Sequence, residues 1–151
     1  MDSISFIILG FRTVFIPINL FACFMGVFVG TFIGVLPGLG PTATMAILLP
    51  LTFGMDPTPG IIMIAGIYYG AQYGGSTTSI LVNIPGEVGS IITCLDGHQM
   101  ARKGRAGPAL GISAMGSFIG GTLGVVGLML LTPPLGKLAA QFGPPEIFSF
   151  I

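Results

Sequence analysis

The charged residues of this chain leave three long apolar stretches. No Asp, Glu, Lys or Arg occurs in residues 13–55, 57–86 or 106–136. A helix needs about 20 mostly apolar residues to cross a bilayer, so each stretch is long enough for at least one crossing. The pattern therefore predicts an all-α polytopic transmembrane bundle.

Breaks in the apolar pattern divide these stretches into elements. Residues 42–54 are too few to span comfortably, so we expect a re-entrant segment there. The crossings at 13–36 and 61–85 on either side of it would return Arg12 and the basic cluster Arg102, Lys103 and Arg105 to the same side. The predicted order is a lead (1–12), a helix (13–36), a break (37–41), the apolar segment 42–54, a turn (54–60), a helix (61–73), a segment broken at each end (73–87), a polar loop (87–105), a span (108–131) and a "TPPLGK" terminator.

Glycines recur every fourth residue in three of the predicted helices. The positions are Gly26, Gly30, Gly34 and Gly38, then Gly66, Gly70 and Gly74, then Gly116, Gly120 and Gly124. Residues four apart share a helix face, and a face without side chains allows another backbone to approach closely. Most of these glycines are therefore expected to pack helices against each other.

Composition supports a membrane location. Charged residues make up 7% of the chain and the mean hydropathy is +0.97, whereas a soluble domain carries about a quarter charged residues. The net charge is zero, which gives no reason to expect a nucleic-acid partner. Cys23 and Cys94 are expected to be small apolar residues, without a disulfide or metal site. The cluster Arg102, Lys103 and Arg105 is expected on the cytoplasmic side.

The stretch "GVLPGLGPTAT" interrupts the apolar pattern with prolines and glycines. A broken helix in a membrane exposes backbone N–H and C=O groups, which are tolerated only in protein or beside water. Pro41 suits the first turn of a new helix, and Thr42 and Thr44 add hydroxyls to its positive N-terminus. Such discontinuous helices bind substrates in many secondary transporters, so a carboxylate site is one interpretation. The alternative is a kink satisfied by neighbouring helices.

The stretch "GGSTTS" supplies a second group of small and hydroxyl-bearing residues, and it ends in Asn83, Pro85 and Glu87. Its oxygens also suit a coupling sodium ion. Glu87 and Asp96 are candidates for coupling or gating, with an interfacial loop as the alternative, and His98 is expected to be solvated. The match of "GLGPTA" to a dinucleotide-binding pattern lacks its βαβ context. A Ser76–His98 hydrolase pair lacks an orienting acid.

Three segments of the chain are unusually long and distinctive: "GVLPGLGPTATMAILLPLTF", "YYGAQYGGSTTSILVNIPGE" and "DGHQMARKGRAGPALGISAMGSFIGG". Together they resemble the N-terminal part of the large membrane subunit of tripartite tricarboxylate transporters, the TctA family. The resemblance covers nearly the whole chain. Family members are about three times as long and consist of two related halves. The chain is accordingly predicted to be a single membrane domain over 1–151, the N-terminal portion of a longer permease.

The resemblance implies an ion-coupled secondary uptake system in the bacterial inner membrane, driven without ATP hydrolysis. Its partners would be a small membrane subunit and a periplasmic solute-binding protein that delivers a carboxylate. No organic cofactor, metal site or enzymatic activity is expected, and the coupling ion would be Na⁺ or H⁺. A passive channel for small anions and a membrane-embedded enzyme are the alternatives. The candidate substrate- or ion-binding residues are Pro37, Gly38, Gly40, Pro41, Thr42, Thr44, Gly74, Gly75, Ser76, Thr77, Thr78 and Asn83.

Overall fold

The computed structural model describes residues 3–139, and side-chain environments are described for residues 8–136. Every described element is helical, as the sequence predicted. The helices are α1 (Ser3–Val14), α2 (Pro17–Gly34), α3 (Gly40–Leu48), α4 (Pro57–Val82), α5 (Ile91–Arg102) and α6 (Ala106–Ala139), with short 3-10 turns at Leu49–Thr52 and Val88–Ser90. The chain divides into two compact units, residues 1–113 and 114–151. The first unit contains the candidate site.

The predicted helix 13–36 is interrupted near its start. α1 ends at Val14 and α2 begins at Pro17, where a proline is tolerated because the amides of the first turn have no partner within the helix. The side-chain amide of Asn19 donates to the carbonyl oxygen of Thr13 over 2.6 Å. This bond ties the start of α2 to the end of α1.

α2 and α4 pack through their glycines. Gly26, Gly30 and Gly34 lie against the backbone of Met63, Ile67 and Ala71 in α4. In return, Gly66, Gly70 and Gly74 lie against the backbone of α2 between Cys23 and Val35. A methyl group on Gly74 would lie 2.6 Å from the carbonyl oxygen of Thr31, so the two backbones leave no room for side chains. The first two glycine series therefore have the packing role that their spacing predicts, except for Gly38, where an added Cβ would have no neighbour within 4 Å.

The glycine contacts show that α2 and α4 run in the same direction. The pairs Gly26–Met63, Gly30–Ile67 and Gly34–Ala71 are each separated by 37 residues, so the numbering rises together along both helices. The connection between two parallel helices must return along their length. α3 and the turn Leu49–Thr52 provide this return. At its start, Gly40 lies beside Gly86, which packs on Gly75 in the second half of α4. At its end, Thr52 lies beside Gly60 in the first turn of α4. The return covers about 20 Å at 1.5 Å per helical residue.

The parallel arrangement corrects the re-entrant prediction. A re-entrant segment at 42–54 would make the flanking helices antiparallel, and Arg12 and the basic cluster would then lie on the same side. Instead, Arg12 precedes the N-terminal end of α2, and the basic cluster lies at the C-terminal end of α5, which packs on the C-terminal end of α4 at Ile80. The two positive segments therefore lie toward opposite ends of the α2–α4 pair.

Two further predictions are corrected by the helix boundaries. The polar loop predicted at 87–105 contains α5, a 12-residue helix, because the charged residues occupy its exposed positions. The "TPPLGK" segment does not end α6, which contains Pro133 and Pro134. Prolines are tolerated within apolar helices of membrane proteins, so they are weak terminators there.

A Cβ at Gly116, Gly120 or Gly124 of α6 would have no neighbour within 4 Å.

Candidate functional site

The predicted break at Gly74–Ser79 is absent, since α4 is continuous to Val82. Its hydroxyls bond back to the helix instead: Ser76, Thr77, Thr78 and Ser79 each donate to the carbonyl oxygen four residues earlier, over 2.8–3.2 Å. This local bonding satisfies the hydroxyl donors without interrupting the helix. Gly74 and Gly75 are buried in helix contacts. This segment is therefore an intact helical turn.

The second break lies a few residues later, between Val82 and Ser90. Asn83 ends α4 in the left-handed conformation, with φ 61°, and its side chain is exposed. Asparagine adopts this conformation more readily than most residues, which explains its position at the C-terminal end of a helix. Asn83 was predicted to bind a ligand, and in the structure it has this capping role.

Glu87 organises the start of α5. Its carboxylate accepts from the backbone amide of Ser90, while the Ser90 hydroxyl accepts from the backbone amide of Glu87 over 3.2 Å. This reciprocal pair is a capping box. Partial burial raises the pKa of the Glu87 carboxyl above its ordinary value, because desolvation disfavours the charged form.

The break at 83–90 folds back against the start of α3. Gly86 packs on Gly75, and a Cβ on Gly75 would lie 3.4 Å from the Gly86 Cα. A Cβ on Gly40 would lie 3.8 Å from the carbonyl oxygen of Gly86 and 3.9 Å from the Glu87 Cβ. The two discontinuities of the chain, one before α3 and one after α4, therefore meet. We call this region, comprising residues 35–42, 74–78 and 83–87, the junction.

The end of α2 is fixed at the same place. The Thr78 hydroxyl donates to the carbonyl oxygen of Val35 over 2.9 Å and shares its hydrogen with the Gly74 carbonyl at 3.2 Å. Carbonyls in the last turn of a helix have no partner within the helix, so this bond satisfies one of them. Thr78 is 4% exposed. Although it was predicted to bind a ligand, its hydroxyl holds α2 on α4.

The start of α3 has the features of a helix N-terminus that can bind an anion. Gly40 has φ +61°, which glycine adopts without strain, and Pro41 follows as the second helical residue. In the first turn the backbone N–H groups of Gly40 and Thr42 have no acceptor within the helix, and such groups attract negative charge. Thr42 is exposed, as are Pro37 and Gly38, whereas Pro41 is buried.

Thr44 does not join this exposed surface. Its side chain is completely buried, and its hydroxyl donates to the Gly40 carbonyl oxygen over 2.7 Å. The bond stabilises the turn that positions Gly40. Of the two threonines predicted to contact substrate, Thr42 is thus accessible and Thr44 is structural.

Asp96 and His98 lie on α5, away from the start of α3. Asp96 is exposed and borders an open groove of about 250 Å³ whose lining includes Ile80, Ile92 and Ser113. His98 is partly buried, and its Nδ1 lies 3.0 Å from the Ile80 carbonyl oxygen in the last turn of α4. The expectation of a solvated histidine is therefore wrong: His98 holds α5 on the end of α4.

Sequence reasoning missed a set of polar side chains on α4. Tyr68, Tyr69 and Gln72 precede the predicted GGSTTS segment, and the Gln72 Nε2 donates to the Tyr68 Oη over 3.0 Å. The signal was the spacing of Tyr68, Gln72 and Ser76, which recurs every four residues like the glycines. Within residues 3–139, no three His, Cys, Asp or Glu side chains form a cluster suited to a metal ion.

Comparison with known proteins identifies the family. Residues 20–151 match the Tripartite tricarboxylate transporter TctA family. The chain belongs to the TctA family. This membership bears out the resemblance carried by the three sequence segments, and the family is one of membrane transporters.

A curated relative extends the comparison. The chain is 56% identical over all of its 151 residues to a protein of Agrobacterium vitis described as "Uncharacterized 52.8 kDa protein in TAR-I ttuC' 3'region". The match spans 30% of the length of that relative. No solved structure matches the chain.

Proposed function

We propose that this chain is the N-terminal part of a TctA-type permease in an ion-coupled, binding-protein-dependent transporter of tricarboxylates or related carboxylates. Membership of the family supports a subunit that works with a small membrane protein and a periplasmic solute-binding protein in the bacterial inner membrane. Multi-pass insertion is supported by α2 and α6, which have the length and apolarity of membrane spans. Na⁺ and H⁺ are the coupling ions to be distinguished.

One observation carries the site assignment within this proposal: the open N-terminus of α3 lies against a second chain break. A substrate carboxylate would accept from the backbone N–H groups of Gly40 and Thr42 and from the Thr42 hydroxyl. The helix dipole favours a negative charge at this position. Discontinuous helices with N-termini directed at anionic groups form such sites in other secondary transporters.

Citrate, a tricarboxylate, is a suitable probe for this function. In membrane vesicles expressing the full-length permease that contains this chain, with its two partner subunits, we expect citrate accumulation that requires the binding protein and stops when ionophores collapse the ion gradients. Replacing Na⁺ in the buffer separates sodium coupling from proton coupling. Citrate flux that needs neither the binding protein nor a gradient would identify a passive channel and contradict the proposal.

The same assay tests the start of α3. Thr42→Val removes one neutral hydrogen-bond donor and should lower citrate affinity by roughly two- to tenfold, which corresponds to about 0.5–1.5 kcal/mol. Thr122→Val is the control, because Thr122 is an exposed α6 residue whose hydroxyl donates to the Phe118 carbonyl within its own helix. Equal citrate affinity for the Thr42 variant and the unaltered chain would remove this hydroxyl from the site.

Glu87 makes citrate binding dependent on pH. Its Cβ lies next to Gly40, so an ionised Glu87 repels a carboxylate bound at the α3 N-terminus, whereas a protonated one does not. Because burial raises the pKa of Glu87, citrate affinity should be highest below that pKa and fall as the pH rises through it. We expect a loss of roughly threefold to tenfold, given partial solvent screening.

Glu87→Gln isolates this effect. Glutamine preserves the capping box, since its side-chain oxygen can accept from Ser90, but carries no charge. At each pH, the citrate affinity of the unaltered protein is divided by that of the variant. Effects of pH on citrate itself, and on ionisable groups of the neighbouring helices, are the same in both proteins and cancel in this ratio. α3 has no ionisable side chain, α4 has three tyrosines, and α5 has Cys94, Asp96, His98 and Arg102. A ratio independent of pH would show that Glu87 does not oppose the bound anion.

A further inference from the structure

A polar stripe follows the face of α4 opposite α2. Tyr68, Gln72 and Ser76 each come two residues after Gly66, Gly70 and Gly74, respectively. Two residues correspond to about 200° around a helix, so the stripe lies on the opposite face from the glycines. Tyr69 extends the stripe and is 48% exposed, while the other three side chains are half-buried. The stripe consists of Tyr68, Tyr69, Gln72 and Ser76.

Hydrogen bonds connect the members of the stripe and leave donors available. The Gln72 Nε2 donates to the Tyr68 Oη over 3.0 Å, and the Ser76 hydroxyl donates to the Gln72 backbone carbonyl over 3.1 Å. Because the Tyr68 oxygen accepts, its own O–H remains available to donate. The second N–H of Gln72 is available in the same way. The stripe can therefore offer several neutral donors to an anion.

The stripe is poorly suited to face lipid. α4 has 26 residues, which is long enough to cross a bilayer, yet among the described helices only α2 and α6 are both long and apolar enough to qualify as spans. The polar side chains of the stripe lower the hydropathy of α4, and they lie on the face that α2 leaves uncovered. Polar side chains within a membrane generally face the protein interior or a water-filled cavity.

The stripe leads to the junction. Ser76 follows Gly75, the residue on which Gly86 packs, and Tyr68 lies about 12 Å further back along the helix axis at 1.5 Å per residue. α4 contains no charged residue. A row of neutral donors attracts carboxylates without the tight binding of a lysine or arginine, and passage requires binding weak enough to permit release.

We propose that the stripe Tyr68, Tyr69, Gln72 and Ser76 lines a water-filled path along which a carboxylate reaches the junction. The choice of a carboxylate rests on the proposed function. The aqueous character rests on the polarity and exposure of these side chains. The stripe could instead be covered by another helix or by lipid. The test below distinguishes these two arrangements from a water-filled path.

Cysteine accessibility provides the test, and α2 offers a matched control. Phe32 lies 37 residues before Tyr69, the same separation as the paired residues of the glycine interface, so the two lie at the same depth. Phe32 is 66% exposed, and its ring lies at a tilted angle to that of Phe28 with a centroid distance of 4.8 Å. If exposure alone controlled labelling, Phe32→Cys would react faster than Tyr69→Cys.

Single cysteines at 69, 72, 76 and 32 would be introduced after Cys23→Ala and Cys94→Ala. Permeabilised membrane vesicles expressing the full-length permease that contains this chain would be treated with a charged, membrane-impermeant thiol reagent. We expect reaction at 69, 72 and 76 to be at least about tenfold faster than at 32, because the reactive thiolate forms in water. Citrate should slow these reactions by at least about threefold.

Reaction at 69, 72 and 76 no faster than at 32 would overturn the proposal, whether lipid or another helix covers the stripe. Rapid reaction that citrate leaves unchanged, in vesicles shown to bind citrate, would overturn the carboxylate path. If the vesicles do not bind citrate at all, the proposed function fails independently, while the labelling rates still decide whether the stripe is wet.

Discussion

Gly70→Ala is expected to destabilise the chain by about 1–3 kcal/mol, the usual effect of overpacking a tight interface. The new methyl group would collide with the carbonyl oxygen of Val27 and lie 2.8 Å from the backbone nitrogen of Thr31. Both atoms belong to the backbone of α2, so neither can rotate away. Leucine at this position should prevent α2 and α4 from pairing.

Gly120→Ala is the matched control and should act in the opposite direction. Its Cβ would have no neighbour within 4 Å, and alanine favours a helix over glycine by up to about 1 kcal/mol. Unfolding each variant in the same mixed micelles, followed by circular dichroism, compares the two free energies. Equal changes at both positions would show that glycine content, and not the α2–α4 contact, controls stability.

Gly86→Ala is expected to reduce citrate affinity by at least about tenfold. A Cβ on Gly86 would collide with the Cα of Gly75 and lie 3.2 Å from its carbonyl carbon. The connection after α4 must then move off the helix and leave the start of α3 without its contact at Gly40, so water enters the junction and weakens the hydrogen bonds that hold the anion. Because the glycines between α2 and α4 are untouched, the thermal unfolding midpoint should change little.

Gly89→Ala controls for the loss of a glycine near the same connection. Its Cβ would meet only the Glu87 carboxylate, at 3.6–3.9 Å, which is ordinary van der Waals contact. Citrate titration of both variants in lipid nanodiscs, with unfolding measured in parallel, separates the effect on the junction from general unfolding. Unaltered citrate binding by Gly86→Ala would mean that the meeting of the two breaks does not form the site.

The sequence predicted the features that depend on local chemistry. The helical class, the break before α3 and the packing role of the α2 and α4 glycines followed from apolar length, proline and glycine content, and fourfold spacing. The direction of packing did not follow, because a glycine face fits a parallel or an antiparallel partner equally well. The re-entrant prediction failed for this reason.

The candidate site was predicted only in part, because composition does not show how hydroxyls are used. Thr44 and Thr78 resemble ligand-binding residues in sequence, yet their donors are bound to the Gly40 and Val35 carbonyls. The contact of Gly86 with Gly75 depends on how the chain folds back after Asn83. Tyr68 and Gln72 were missed because they belong to no short motif. Only the spacing of four residues along the helix joins them to Ser76. The single-domain boundary and the partner subunits stay predictions.

The parallel order of α2 and α4 also affects synthesis of the chain. In a helical hairpin, the residues nearest the turn meet first and the contact then spreads toward both ends. Here each α2 glycine meets a residue made 37 positions later, so Gly26 finds Met63 before Gly34 finds Ala71. At about 5–20 residues synthesised per second, the last of these α4 residues follows the first by less than about two seconds, and the contacts become available in the order of synthesis. The interface can therefore close from its N-terminal end as α4 emerges from the ribosome.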